Sequence, residues 1–183
     1  AFVNGTGTNQ PRGFLGAPNS AVADGARPFG TLQFTATGNA STLGTNPENK
    51  LIDLVHALQA GHRENATRVM NAATLAEVRK LKATDGSFLW QPGIMQGQPD
   101  RLIGYPVVEA ADMPDIAANA FPIAFGNFRA GYLIAERSAT SILRDPFTNK
   151  PFVHFYAVKR IGGQVLDSEA IKARRRLFMT ATP

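Results

Sequence analysis

The sequence contains no cysteine, which excludes disulfide bonds and thiolate metal sites and leaves the redox compartment undetermined. It also lacks any stretch approaching the roughly 20 consecutive apolar residues that a membrane-spanning helix needs. No basic-then-apolar secretory segment opens the sequence. These absences predict a protein without a membrane partner and without disulfide staples.

Hydrophobic residues occupy 44% of the 183 positions, enough for one substantial core or for two smaller cores that share an interface. The 19 basic and 14 acidic residues give a formal net charge of +5. Net charge indicates how a protein associates nonspecifically and does not indicate its fold. We interpret the basic excess as charge that is solvated or that lies at subunit contacts. Much of it lies late in the chain, at Lys159, Arg160, Lys172, Arg174, Arg175 and Arg176.

Two helices are predicted in the first half of the chain. Pro47 suits the first position of one helix, apolar residues follow at helical spacing from Leu51 to Leu58, and Gly61 is expected to end it. Asn71 is expected to cap the second helix, which turns Leu75 and its apolar neighbours inward.

The rest of the chain shows mainly strand patterns. Helices that lead and strands that follow favour an α+β fold over regular βαβ winding. A long hairpin over residues 140–161, with turn residues at 144–151, is poorly placed to share a core with both helices, so two lobes are expected. A short extended piece is predicted at residues 27–35, and residues 171–180 fit one more strand or an extended tail. Between them, strands are predicted at residues 66–70, 88–90, 102–108, 123–125, 132–134, 140–143 and 152–161.

The residues do not supply a recognisable active site. His56 and His62 are six positions apart, which is not the i, i+4 spacing of metal ligands on one helical face, and His154 lies in an alternating strand. The glycine-rich stretch 4–8 is not followed by a helix, so we interpret it as a structural turn rather than a phosphate loop. The acidic residues Glu109, Asp112 and Asp115 are interpreted as part of a solvated loop rather than as a cation site or an acid/base site. The sequence therefore predicts no enzyme, no metal site and no cofactor.

A dedicated nucleic-acid interface is also not indicated. In residues 152–160 (FVHFYAVKR) both faces of the predicted strand are largely apolar, so burial in a sheet or an interface explains the pattern better than base stacking does. The basic run 174–176 would place charge on both faces of a strand, which suits a chain end or a subunit seam. Loose electrostatic contact with packaged DNA stays open.

Five blocks of sequence, in order, resemble the carboxy-terminal part of tailed-bacteriophage major capsid proteins. Each block alone is a weak signal, but the ordered set covers most of the chain and is specific. The blocks are residues 2–15 (FVNGTGTNQPRGFL), 66–90 (ATRVMNAATLAEVRKLKATDGSFLW), 102–108 (LIGYPVV), 125–134 (FGNFRAGYLI) and 144–156 (RDPFTNKPFVHFY).

The resemblance implies an axial and a peripheral domain. Residues 1–41 would be the remainder of the peripheral domain and 42–127 the axial domain. Residues 128–162 would be the peripheral hairpin, and 163–183 would return to the axial domain. The amino-terminal arm, extended loop and spine helix of the family are expected to be missing, and we assign no crosslinking lysine.

The same resemblance implies two interfaces between subunits. One is the loop that would point to the capsomer axis, with Gln91, Ile94, Met95, Gln98 and Arg101. The other is the tip of the peripheral hairpin, with Arg144, Asp145, Asn149 and Lys150. We expect replacement of both Ile94 and Met95 by Asp or Lys to impair capsomer formation in the full-length protein while leaving the subunit folded. Normal shells from that double variant would reject the prediction.

The implied function is a structural head-shell protein that assembles with itself into hexamers, pentamers and an icosahedral shell enclosing DNA. Scaffold, portal and nonspecifically bound DNA are implied as further partners, with the virion as location and the bacterial cytoplasm as the place of assembly. An encapsulin-type nanocompartment shell is the main alternative, and a gene transfer agent capsid is a third member of the same class. A hydrolase and a small nucleic-acid-binding domain are the alternatives from other classes.

Overall fold

A computed structural model describes residues 1–37, 46–82, 87–88, 90 and 100–175 of the chain. The helices in those ranges are α1 (Pro47–His56), α2 (Ala60–Arg63), α3 (Ala72–Arg79) and α4 (Phe128–Gly131). The strands are β1 (Asn19–Ser20), β2 (Leu32–Ala36), β3 (Thr67–Met70), β4 (Arg101–Leu102), β5 (Tyr105–Glu109), β6 (Ile123–Gly126), β7 (Tyr132–Asp145), β8 (His154–Val165) and β9 (Ile171–Arg175).

Seven of these strands form one mixed sheet, in the spatial order β1-β2-β9-β6-β3-β5-β4. The pairs β1/β2, β2/β9 and β3/β5 are parallel, whereas β3/β6, β4/β5 and β6/β9 are antiparallel. Strand β9 follows the long hairpin in sequence, yet it lies between β2 and β6. The chain therefore leaves the sheet after β6, forms the β7–β8 hairpin, and returns to the centre of the sheet.

One face of this sheet is covered by α1 and α3. Phe125 and Ile123 alternate with Ala124 along β6, and both contribute to the core on this face together with Met70 of β3. The sheet residues pack against apolar residues of the helices, all 8% exposed or less: Leu51, Leu54, Val55, Leu75 and Val78. Full burial of each such side chain contributes roughly 1.5–3 kcal/mol to the folded state, which is why these two helices stay on the sheet.

The other face of the sheet is covered by the opening segment of the chain and by the base of the hairpin. Ala124 and Ile171 are fully buried there, beside Phe14 and Leu32. The ring of Phe14 meets Phe128 edge to face, with centroids 5.3 Å apart. The sheet is thus sandwiched between two layers, and the predicted α+β class with more than one core is what the chain forms.

The predicted cap at Asn71 is confirmed. Its side-chain oxygen accepts a hydrogen bond from the Thr74 amide at 2.8 Å, and α3 begins one residue after it. The prediction that Gly61 ends the first helix is wrong, because α1 stops at His56 and Gly61 lies inside the separate helix α2. Arg63 stabilises that early end, since its side chain donates to the carbonyl oxygens of Leu58 at 2.7 Å and His56 at 3.3 Å.

Several predicted strands differ in extent from the observed ones. The predicted strands at 132–134 and 140–143 belong to one long strand, β7, which runs on because β8 pairs along its whole length. The predicted strand at 102–108 is a hairpin, because Ile103 and Gly104 adopt positive φ angles of 52° and 79° and reverse the chain between β4 and β5. The predicted strand at 171–180 is confirmed over 171–175, and its remaining residues lie outside the described ranges.

The interpretation of Lys172 and Arg174 as surface or subunit-contact charge is wrong. Both residues are fully buried within the chain. Lys172 Nζ donates to Asp24, and Arg174 Nη1 donates to the carbonyl oxygen of Pro47 at 3.5 Å. Burial lowers the pKa of Lys172, although the hydrogen bond to Asp24 opposes the shift, and burial lowers the pKa of Arg174 to about 10. Both cations belong to the interior of the sheet region.

Candidate subunit-interaction surfaces

The β7–β8 hairpin is a two-stranded ribbon with large apolar side chains in solvent. The exposed fractions of the eight side chains range from 40% for Ile161 to 67% for Ile142. They lie along both strands: Leu133, Ile134, Ile142, Leu143, Phe155, Tyr156, Val158 and Ile161. A two-stranded ribbon is only marginally stable in water by itself, and clustered exposed apolar residues mark interaction sites. We call this set the apolar ribbon.

The pairing register places apolar residues on both faces of the hairpin. Phe155 lies opposite Arg144, and two residues along the hairpin Ala157 lies opposite Ile142. Side chains two residues apart on a strand point to the same face, so Phe155 and Ile142 share one face. Leu143 lies opposite Tyr156 on the second face. A partner that covered only one face of the hairpin would leave the apolar side chains of the other face exposed to solvent. Both faces of the ribbon therefore need a partner.

The base of the hairpin is fixed to the opening segment. The hydroxyl of Tyr132 donates to the carbonyl oxygen of Arg12 at 2.8 Å, and the Arg12 amide donates to the carbonyl oxygen of Gly163 at 2.8 Å. The ring of Phe2 meets Tyr132 edge to face at 6.2 Å. Burial raises the pKa of Tyr132 above its usual value. The hairpin thus projects from an anchored root.

The predicted tip residues do come together. Arg144, Asn149 and Lys150 are exposed, and Asp145 is half-buried. The Asp145 carboxylate accepts hydrogen bonds from the Phe147 amide at 2.9 Å, the Thr148 amide at 3.2 Å and the Thr148 hydroxyl. The hydroxyl bond is the largest cause that lowers the pKa of Asp145, so the carboxylate is charged at neutral pH. Contact between these residues and another subunit stays a prediction.

Only the ends of the predicted axial loop fall within the described residues. Gln91, Ile94, Met95 and Gln98 lie outside the described residues, as does the predicted effect of substituting Ile94 and Met95. Arg101 is exposed at the start of β4, and its carbonyl oxygen accepts a hydrogen bond from the indole of Trp90 at 2.7 Å. The two ends of the loop are therefore held together.

The histidines and acidic residues that were considered for chemistry are dispersed. His56 is exposed, His62 lies 3.5 Å from Asp167, and His154 stacks on Tyr156 with centroids 6.1 Å apart. Within the described ranges, no three histidine or acidic side chains are grouped as metal ligands would be.

The glycine-rich opening stretch forms a packed turn, as predicted. Gly5 donates to the carbonyl oxygen of Ala1 at 2.7 Å, and its carbonyl oxygen accepts from the Gly13 amide at 2.9 Å. A side chain on Gly5 would overlap the carbonyl oxygen of Pro11. The glycines therefore permit close backbone packing at the root of the hairpin.

Across the described ranges, every helix is too short or too polar to pass through a lipid bilayer.

Sequence reasoning assigned the peripheral interface to the polar tip and left residues 152–160 of the stem open between burial in a sheet and burial in an interface. Ile142, Leu143 and Phe155 of this stem are 66–67% exposed. The signal was present, because residues 152–160 are apolar on both faces. What the pattern could not distinguish was burial inside this chain from burial against another one.

Comparison with solved structures identifies the class of molecule that this architecture defines. The chain is similar to the capsid of a native GTA (gene transfer agent) particle, with 50% sequence identity and a TM-score of 0.87. It is also similar to the capsid of an empty GTA particle, with 49% identity and a TM-score of 0.85. Each match covers 97% of this chain and 60% of the matched chain, so this chain spans about three fifths of the length of those subunits. Both structures were computed with C5 symmetry.

The family follows from sequence as well as structure. The model of the phage capsid family matches residues 1–175, and no curated protein sequence matches the chain. The chain belongs to the phage capsid family. The predicted family and the predicted capsid fold are therefore confirmed, whereas the proposed division into axial and peripheral domains stays a prediction.

Proposed function

We propose that the protein is a structural, non-enzymatic major capsid protein that assembles with copies of itself into hexamers, pentamers and a closed icosahedral shell around DNA. The apolar ribbon is the observation that carries this proposal, because it exposes apolar side chains on both faces of a projecting hairpin. The membership of the phage capsid family and the similarity to GTA capsids support it. In this proposal the function of the protein depends on the contacts between subunits and not on catalysis at an active site.

The ribbon suits contacts that are individually modest and repeated many times. Each large apolar side chain that another subunit buries contributes roughly 1–3 kcal/mol. Identical contacts around a closed ring act together, since the second contact of each subunit forms at high effective concentration. The exposed polar tip, with Arg144, Asn149 and Lys150, then supplies the polar rim of the contact.

The contents of the shell distinguish the members of this class. Identities of 49–50% to GTA capsids favour a gene transfer agent capsid as the second candidate, beside a phage head. The family match and these similarities do not favour the encapsulin alternative, in which the shell holds protein cargo. We propose assembly in the bacterial cytoplasm, residence in the particle, and scaffold, portal and nonspecifically bound DNA as further partners. Nuclease-protected DNA in purified particles supports a DNA-containing shell, and protein cargo without DNA contradicts it.

Electron microscopy of the complete gene product, expressed alone and with its neighbouring head genes, tests the proposal. The wild type is expected to form spherical particles. The double variant Ile142→Lys plus Phe155→Asp places charges on one face of the apolar ribbon and is expected to abolish particles while the subunit stays folded. Phe29→Asp is the matched control, because Phe29 is 81% exposed but lies in a loop of the sheet region.

The outcomes separate clearly. Particles from the wild type and the control, with folded subunits alone from the hairpin variant, support the proposal. Normal particles from the hairpin variant contradict the role of the ribbon. A wild type that stays monomeric under both expression conditions contradicts the proposed function itself.

A further inference from the structure

Two adjoining cavities open at one end of the seven-stranded sheet. They have volumes of about 870 Å³ and 580 Å³ and share Asn65 and Thr67 in their walls. Arg63 and Arg101 line the first cavity, and Arg129 lines the second. The three arginines come from α2, β4 and α4, which are far apart in sequence. We call this feature the arginine groove.

Across the part of the chain that the structure describes, acidic residues do not balance the positive charge of the arginine groove. Arg101 and Arg129 are exposed, and within the described ranges neither forms an ion pair. Arg63 is held by backbone carbonyl oxygens, which fix its side chain but do not neutralise its charge. Asp100, the acid next to Arg101, is engaged by Arg79 instead. Among the described residues that line the two cavities, Glu64 is the one acidic residue, so these residues together carry net positive charge.

An acidic surface lies at the opposite end of the same strands. Between Arg101 and Arg129 the sequence contains three acidic residues and no lysine, arginine or histidine. Glu109 ends β5, and both Glu109 and Asp112 are exposed. Asp112 keeps 67% of its side chain in solvent. We call Glu109 and Asp112 the acidic corner.

The geometry of β3 and β5 sets the two surfaces apart. These strands are parallel, and the groove is formed at their first residues, Thr67 and Tyr105. The acidic corner follows their last residues, where the Ala110 amide donates to the carbonyl oxygen of Met70 at 2.9 Å. The two surfaces therefore cannot meet within one subunit. Surfaces at opposite ends of one subunit can form a head-to-tail contact between copies, which is the kind of contact that closes into rings.

We propose that the arginine groove of one copy binds the acidic corner of the next copy around a capsomer. This inference rests on the proposed function, because it names a contact through which the shell subunit assembles. Opposite charges across such a contact steer the approach of the partners and fix their register. Repulsion between two arginine grooves, or between two acidic corners, would also disfavour head-to-head pairing of two copies.

A protein partner fits the groove better than DNA does. A DNA-binding channel tracks the phosphates with a continuous row of cations and stacks bases on exposed aromatic rings. The groove instead has Glu64 in its wall and exposed Ile103 at its edge. Its two described aromatic residues are Tyr105 and Phe128. Tyr105 packs edge to face against Phe125 with centroids 5.0 Å apart, and Phe128 packs in the same way against Phe14 at 5.3 Å, so both rings are engaged within the subunit.

Charge reversal with rescue in the complete gene product tests the contact. Arg101→Glu plus Arg129→Glu is expected to lower the yield of particles about tenfold or more, as is Glu109→Arg plus Asp112→Arg. The four substitutions together restore opposite charges and are expected to recover most of the yield. Lys50→Glu plus Lys80→Glu is the control, because it changes the net charge as much as the arginine variant does while leaving the groove intact. Particle yield is measured by sedimentation and electron microscopy, and circular dichroism confirms folding.

Each result decides the matter. Loss in both double variants with recovery in the quadruple variant supports the contact. Normal yield in the arginine variant, or no recovery in the quadruple variant, overturns it. Normal yield with reduced DNA content assigns the groove to DNA and also overturns it. If the wild type forms particles and the apolar-ribbon variant does not, the proposed function stands whatever the arginine variant shows; a wild type without particles refutes both.

Discussion

The seven-stranded sheet and the β7–β8 hairpin both contain strands that are apolar on both faces, but the sheet buries these side chains and the hairpin exposes them. In β6 all four residues are buried, because strands lie on both sides of it and packed layers lie on both faces. In β8 apolar residues also occupy both faces, yet Phe155 is 66% exposed, since among the described residues β8 pairs with β7 alone and no further layer covers the hairpin. The difference shows that an apolar strand pattern predicts burial of the side chains but does not predict whether the same chain or another chain covers them.

Matched phenylalanine substitutions give the largest contrast between the two regions. Phe125 is fully buried under α1, so Phe125→Ala is expected to lower the free energy of unfolding by about 3–5 kcal/mol. Phe155→Ala is expected to change it by less than about 1 kcal/mol, because its ring is already mostly in water. Chemical denaturation of both variants measures the contrast. Equal losses would mean that the hairpin is packed within the free subunit.

A matched pair of glycines sharpens the same comparison at a smaller scale. A side chain on Gly126 of β6 would overlap the carbonyl oxygen of Ala170 and lie 2.7 Å from the Cα of Ile171, whereas one on Gly162 of β8 would meet nothing within 4 Å. Gly126→Ala is therefore expected to cost roughly 1–3 kcal/mol, and Gly162→Ala about 0.5 kcal/mol or less. Thermal unfolding of the two variants provides the measurement, and a neutral Gly126→Ala would show that the β6–β9 contact is looser than described.

The smallest expected effect concerns the tip of the hairpin. The Thr148 hydroxyl is the main cause that lowers the Asp145 pKa, so Thr148→Val is expected to raise this pKa toward its usual value. Because the folded pKa is lowered, the contribution of Asp145 to stability is present above the unfolded pKa and is lost as pH falls through the folded pKa. An NMR titration of the Asp145 carboxyl group checks the shift. Thr148→Ser, which keeps the hydroxyl, is the control, and an unchanged pKa in Thr148→Val would contradict the assignment.

Local features of the fold could be predicted from the sequence because they depend on neighbouring residues. The cap at Asn71, the two main helices and the turn of the long hairpin all follow from short patterns. The capsid fold followed from five ordered blocks that resemble a known family, and the family match over residues 1–175 confirms it.

Other features depend on partners that are distant in sequence. Lys172 could not be recognised as buried, because its partner Asp24 lies 148 positions away. The arginine groove was missed because Arg63, Arg101 and Arg129 meet only after three separate elements pack together. The exposure of the apolar ribbon was missed for a different reason: nothing in a strand pattern tells how many neighbours the strand will have.

The central claim is that other copies of the protein cover the apolar ribbon, and a cryo-electron microscopy map of assembled particles from the complete gene product tests it most directly. Ile142 and Phe155, which are 67% and 66% exposed in the subunit, are expected to lie against a neighbouring subunit and to be largely buried. Particles in which both side chains still face solvent would contradict the account.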